Sequence, residues 1–254
     1  MLRTNWRSKD SPGIGELARA VNEENMPQVR KAFQHYGDSL HRHPLHSDGQ
    51  QLETLLLNGS GDHQGLRALF QAVATPPSQR QDFDAWAAAL LKQLTHQQLL
   101  SGLRSGPFGV EQLNQRITHH LQHQNLAPDR EWYPGRPVMM TRNDYQLGLM
   151  NGDVGLTLPL LEEKKREESN GKAELLLRVA FQLPDGRIKW VLPSRLDGVE
   201  TVYAMTVHKS QGSEFRHTLL VLPDAPHPLL TRELIYTAVT RARDRFTLLE
   251  FGKP

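Results

Sequence analysis

The chain has 254 residues and a mass of 28.8 kDa, room for one large domain or two small ones. Its formal charge of +2 leaves no bulk argument for a nucleic-acid partner, so any basic face has to come from local clustering. There is no cysteine, which excludes a disulfide framework and a thiolate metal site, and no apolar run reaches the roughly 18 residues of a membrane span. The opening MLRTNWRSKD lacks an apolar signal region, so the composition predicts a cytoplasmic chain with no membrane partner. The first 127 residues read as largely helical. Ser11-Pro12 marks a helix start, with Ile14, Leu17, Ala18 and Val21 repeating at helical spacing behind it. Pro27 opens a second short helix carrying Val29 and Phe33, and residues 37–64, polar and glycine-rich, read as loop with one helical turn. DFDAWAAALLKQL (82–94) predicts a helix, QQLLSGLRSGPFG a short buried strand ending in a Gly-Pro turn, and Val110, Leu113, Ile117 and Leu121 another helix.

The composition shifts near residue 128. Short β-like runs then follow one another (RPVMMTR, NGDVGLTL, AELLLRVAFQL, IKWVL), which suggests a small antiparallel barrel. The charged stretch LLEEKKREESNGK reads as the solvated tip of one of its hairpins. From residue 201 the pattern is strand, loop, strand (217–222), helix (231–242), strand (245–250), which indicates an α/β sheet into which the barrel is inserted.

Three separated stretches carry chemistry: LRTNWRS near the start, AMTVHKSQGSEF (204–215) and LIYTAVTRARDR (234–245). In the second, an apolar strand runs straight into Thr206, His208, Lys209, Ser210 and Gln211 around Gly212. Small hydrogen-bonding groups and a single ammonium suit the gripping of phosphates without reading bases. Taken alone, the loop serves equally well as a strand-to-loop turn. In the third stretch Leu234, Ile235, Ala238 and Val239 mark a buried helix face, with Arg241 and Arg243 at its end. Arginine there also suits the helix dipole. The triplet HRHPLH (His41, His43, His46) matches no zinc-ligand spacing, and no metal site is expected; His119, His120 and His123 read as a solvated helix face.

The set and order of these stretches resemble motifs IV, V and VI of superfamily 1 DNA helicases. With SGPFGVEQLN and RPVMMTRNDYQLGLMNGDVG they resemble more narrowly the RecD family, the alpha subunit of exonuclease V, over nearly the whole chain. The fold implied is α/β: a second RecA-like domain with an inserted SH3-like barrel and a helical region. Residues 1–127 and 199–254 would be the two parts of that domain and 128–198 the barrel. By resemblance, Arg241 is the arginine that reaches the γ-phosphate and Arg7, after Trp6, the second such arginine. Glu214 matches a position facing the nucleotide's sugar, with Gly212 beside it. Thr206, His208, Lys209, Ser210 and Gln211 match the DNA-contact loop, and Arg104 and Asn114 fall in a segment that contributes to the DNA-facing surface. A Gly-Pro turn capping a helix explains that last segment about as well.

No G-x-x-x-x-G-K-[ST] phosphate loop occurs in the 254 residues, and no Walker B strand end precedes the first motif. The resemblance therefore implies a piece of a longer motor: ATP and Mg²⁺ serve the full-length protein, and no cofactor is expected for this piece alone. The partners implied are single-stranded DNA and the other two subunits of the exonuclease V complex, with a role in double-strand-break repair. The alternative is a non-catalytic module that mainly holds those partner subunits.

Overall fold

The computed structural model describes residues 11–45, 49–61, 63–163, 173–223, 225 and 227–251. In chain order the elements are α1 (Pro12–Asn22), α2 (Met26–His35), β1 (Leu40–Leu45), α3 (Gln50–Asn58), the ribbon β2 (Gly59–Ser60) and β3 (His63–Gln64), α4 (Leu66–Val73), α5 (Phe83–Leu94), β4 (Gln97–Ser101) and α6 (Val110–His123). There follow β5 (Pro137–Met140), β6 (Val154–Glu163), β7 (Ala173–Gln182), β8 (Ile188–Val191), β9 (Val199–Thr201), β10 (Ala204–Thr206), β11 (Phe215–Val221), α7 (Arg232–Val239) and β12 (Ala242–Phe251). They form two compact units. One holds the described residues up to Gly65, Thr95–Ile117 and those from Tyr203 onward; the other holds Leu66–Leu94 and Thr118–Val202.

The first unit is built on a five-stranded sheet in the order β1-β12-β11-β4-β10, every pairing parallel. Leu99, Leu100, Leu219, Leu220 and Val221 in its middle strands are fully buried, as the near-continuous apolar runs of a doubly covered parallel sheet require. Each such side chain stabilises the fold by about 1.5–3 kcal/mol relative to exposure. α1 and α7 pack against β12 on one face. α1 starts at the Ser11-Pro12 signal, although Ser11 makes no side-chain cap bond; Pro12, which lacks an N–H, occupies the first turn. α2 starts one residue earlier than Pro27, because Asn25 caps it by accepting the Gln28 N–H at 3.1 Å.

Residues 37–64 depart from the loop expectation. HRHPL is β1, an edge strand paired with β12 from Leu40↔Phe246 to Leu45↔Phe251, and α3 follows it. Pro44 fits there because an edge strand leaves one row of main-chain groups outside the ladder.

The second unit carries a five-stranded antiparallel sheet in the order β8-β7-β6-β5-β9. Among the described residues no ladder joins β8 to β9. Both faces are apolar. Leu156, Leu158 and Ala180 pack with Leu69, Val73, Ala87, Leu90 and Leu91 of α4 and α5. Val138, Met140, Val179, Phe181 and Val191 pack with Leu147, Leu149 and Leu196 from the sheet's own connections. The unit thus includes residues 66–94, which sequence reasoning had assigned to the helical first part. The charged segment 164–172 lies outside the described residues.

Candidate functional site

The connection between β10 and β11 occupies residues 207–214. The two strands run parallel with β4 between them, so the chain crosses β4 from the carboxyl end of β10 to the amino end of β11. Thr206 pairs with Ser101 at one end of β4, and His217 pairs with Gln97 at the other, two residues after β11 begins. At about 3.3 Å per strand residue the connection descends roughly 20 Å. Its two ends therefore lie beyond opposite strand ends of the sheet, one past the carboxyl ends and one at the amino ends.

The upper end is a hydrogen-bonded turn. Val207 N–H donates to the Ser101 carbonyl (3.0 Å), and Lys209 N–H to Thr206 Oγ1 (3.2 Å). Gln211 N–H donates to the His208 carbonyl (3.2 Å). His208, Lys209 and Gln211 are exposed and Thr206 is half-buried at the base. Ser210 is turned inward: it is fully buried and donates from Oγ to the Val207 carbonyl at 2.7 Å. Its hydroxyl holds the turn, so it does not belong with the outward groups expected from the sequence. Gly212 has φ +90°, and a Cβ there would meet nothing within 4 Å. The glycine is needed for its backbone angle, and close approach of a neighbour plays no part.

The lower end meets α7. Thr231 caps that helix, accepting the Leu234 N–H at 3.3 Å, and Leu234, Ala238 and Val239 bury its inner face. Two residues past its end, Arg241 is 8% exposed. Its Nη1 donates to the Ser213 carbonyl at 3.1 Å and its Nε to the Thr237 carbonyl at 3.2 Å; Nη2 donates to Thr240 Oγ1 at 3.3 Å. The Phe215 N–H in turn donates to the Arg241 carbonyl (2.9 Å). Glu214 is exposed beside this joint. The Arg241 bonds hold the guanidinium against protein oxygens; a guanidinium's donors also fit phosphate oxygens in a fork, for which some of these bonds would have to be exchanged. Arg7 lies outside the described residues.

The 101–114 segment does not divide as expected. Arg104 is exposed and donates from Nε to Glu111 Oε1 at 3.0 Å. Asn114, expected among the DNA contacts, is buried to 9% exposure. Its Nδ2 donates to the Ala204 and Val110 carbonyls, both at 3.0 Å, and its Oδ1 accepts the Ala204 N–H at 2.9 Å. The amide holds β10 and does not face outward.

Sequence reasoning passed over His217. It is fully buried on β11, its Nε2 2.8 Å from Thr247 Oγ1, and burial pushes its pKa down to about 3, helped by nearby His63, Arg245, His41 and His43. A histidine two residues before the apolar run Leu219–Val221 is the available signal.

Residues 201–249 match the UvrD-like helicase C-terminal domain family. Across 94% of its length the chain is 33% identical to the RecBCD enzyme subunit RecD of Haemophilus influenzae, covering 35% of that protein. It is 37% identical over 153 residues to the ATP-dependent RecD2 DNA helicase of Deinococcus radiodurans, 59% of this chain and 19% of that one. Among solved structures, a Pif1 helicase from Bacteroides in complex with ADP-AlF3 and ssDNA aligns over 97% of the chain and 51% of its own, at 14% identity and a TM-score of 0.46. The chain thus spans about a third of the first of these relatives: it is homologous to RecD subunits over nearly its whole length and matches the UvrD-like helicase C-terminal domain at residues 201–249.

Proposed function

We propose that the chain is the second RecA-like domain, with β5–β9 as an inserted SH3-like barrel, of an ATP-dependent 5′-to-3′ DNA helicase subunit. That subunit would act in the cytoplasm, in an exonuclease V complex with two other subunits, on broken ends in recombinational repair. One observation carries the reading: a single crossover exposes His208, Lys209 and Gln211 at the carboxyl ends of the strands and is bonded through Ser213 to the buried Arg241 at their amino ends. Such a connection can report backbone contact at one end to an anion-binding guanidinium at the other.

In the full-length protein, ATP with Mg²⁺ supplies the phosphoryl group whose transfer to water drives movement. Arg241 would bind oxygens on which negative charge builds, with Arg7 as a second arginine, and Glu214 would meet the sugar. The phosphate loop and metal ligands would come from elsewhere in the full-length protein. His208, Lys209 and Gln211, with Thr206 at their base, would grip the strand's backbone, and Arg104 lies exposed on the neighbouring loop.

A second reading, docking of partner subunits, is favoured by the second unit, which exposes Tyr145, Met150, Leu175 and Leu192. The two roles are compatible. The test uses the full-length protein on duplexes with either a 5′ or a 3′ single-stranded tail. ATP-dependent unwinding from the 5′ tail is expected. Unwinding from the 3′ tail alone, or no DNA-stimulated hydrolysis, contradicts the motor reading. Tyr145→Ser with Met150→Ser should weaken complex assembly while sparing hydrolysis if the docking reading also holds.

A further inference from the structure

We propose that Asn114 is a positioning residue: its side-chain amide sets the place of the DNA-gripping loop by acting as a surrogate strand for β10. β10 has only three residues, Ala204–Thr206, and lies at the sheet edge, paired with β4 alone. So short a ladder fixes position weakly, and an edge strand leaves main-chain groups without strand partners. Ala204 is 1% exposed, so water does not satisfy them. Asn114 does, accepting the Ala204 N–H at 2.9 Å and donating to its carbonyl at 3.0 Å. The amide's own orientation is locked by a donation to the Val110 carbonyl one turn back in α6. A second amide supports the same strand from the sheet side, Gln98 Nε2 donating to the Tyr203 carbonyl at 3.1 Å. The gripping loop begins two residues beyond Ala204, so any slip of β10 passes directly into Thr206 and His208. Asparagine suits this task because one planar group offers donor and acceptor side by side, as a neighbouring strand residue would.

The proposal rests on the reading that residues 206–211 grip DNA, and the experiment separates the two. In the full-length protein, DNA-stimulated hydrolysis is measured against single-strand concentration for Asn114→Ala, Asn114→Asp, a Thr206→Ala/His208→Ala double variant, and Leu52→Ala. Leu52, buried in α3, serves as a destabilised control. Asn114→Ala should raise the DNA concentration for half-maximal stimulation by about tenfold, as misplacement of a contact group does, with the rate at saturating DNA within about twofold of the parent. Asn114→Asp should do the same, because a carboxylate cannot donate to Ala204 or Val110. Leu52→Ala should lower the unfolding temperature and leave the half-saturation point in place. If Asn114→Ala lowers only the maximal rate, in step with Leu52→Ala, the residue is merely structural and the proposal is overturned. If the double variant shifts the half-saturation point and Asn114→Ala does not, the positioning role alone falls. If neither shifts it, the gripping-loop reading falls and takes the proposal with it.

Discussion

Arg241 donates from Nη1 to the main-chain carbonyl of Ser213 at 3.1 Å, joining the end of α7 to the far end of the crossover that starts at Thr206. The joint depends on a backbone angle. Gly212, next to Ser213, sits at φ +90° with open space around its missing side chain. Gly212→Ala should therefore cost about 1–2 kcal/mol of stability through strain alone. It should also lower hydrolysis by the full-length protein more than that loss explains, because the Ser213 carbonyl is displaced. Gly186, at φ +85° and equally open, supplies the control: Gly186→Ala should show the strain in denaturant unfolding and no change in hydrolysis.

The buried His217 predicts acid sensitivity. Its folded pKa of about 3 lies below the ordinary histidine value of 6.5, so the unfolded chain takes up the proton first. The stability contributed is complete above pH 6.5 and is lost as pH falls toward 3. At 1.36 kcal/mol per pH unit the loss between pH 7 and 5 is about 2 kcal/mol. Denaturant unfolding of the parent and of His217→Gln across that range should show the slope in the parent and its absence in the variant.

The exposed loop predicts binding without sequence preference. Its outward groups include no Phe, Tyr or Trp platform and no arginine fork for guanine. Lys209→Ala in the full-length protein should flatten the salt dependence of single-strand affinity by roughly one counterion. Thr206→Ala with His208→Ala should weaken poly-dT, poly-dA and mixed strands by a similar factor. Loss on one sequence only would contradict a backbone grip.

Much of this was legible in the chain because it is local. Pro12, the spacing of Ile14, Leu17 and Val21, and the Ala-Leu run before Leu94 specify their helices with neighbours a few residues away. What differs depends on distant partners or on the direction in which a polar side chain turns. HRHPL looks like loop because its strand character comes from a ladder with residues 246–251, two hundred positions on. Asn114 and Ser210 look like surface hydrogen-bonding groups in a polar motif. Their partners, Ala204 and Val207, place them inside, and residue type does not reveal which way a polar side chain turns. Arg241 is legible as an arginine at a helix end, but its bond to Ser213 is not.

The 254-residue chain by itself should hydrolyse no ATP, since the sequence holds no phosphate loop. A clean preparation assayed with and without single-stranded DNA checks this, and DNA-stimulated turnover would contradict it.

The central claim is that Arg241 acts on the nucleotide, and its kinetics test that most directly. In the full-length protein, Arg241→Ala should lower kcat about 10³-fold, with nucleotide affinity changed only a few-fold, because its charge is needed where negative charge develops in the transition state. An unchanged kcat, or a fall in kcat no larger than the loss of folded protein, would leave Arg241 as a helix-end residue bonded to Ser213 and contradict the account.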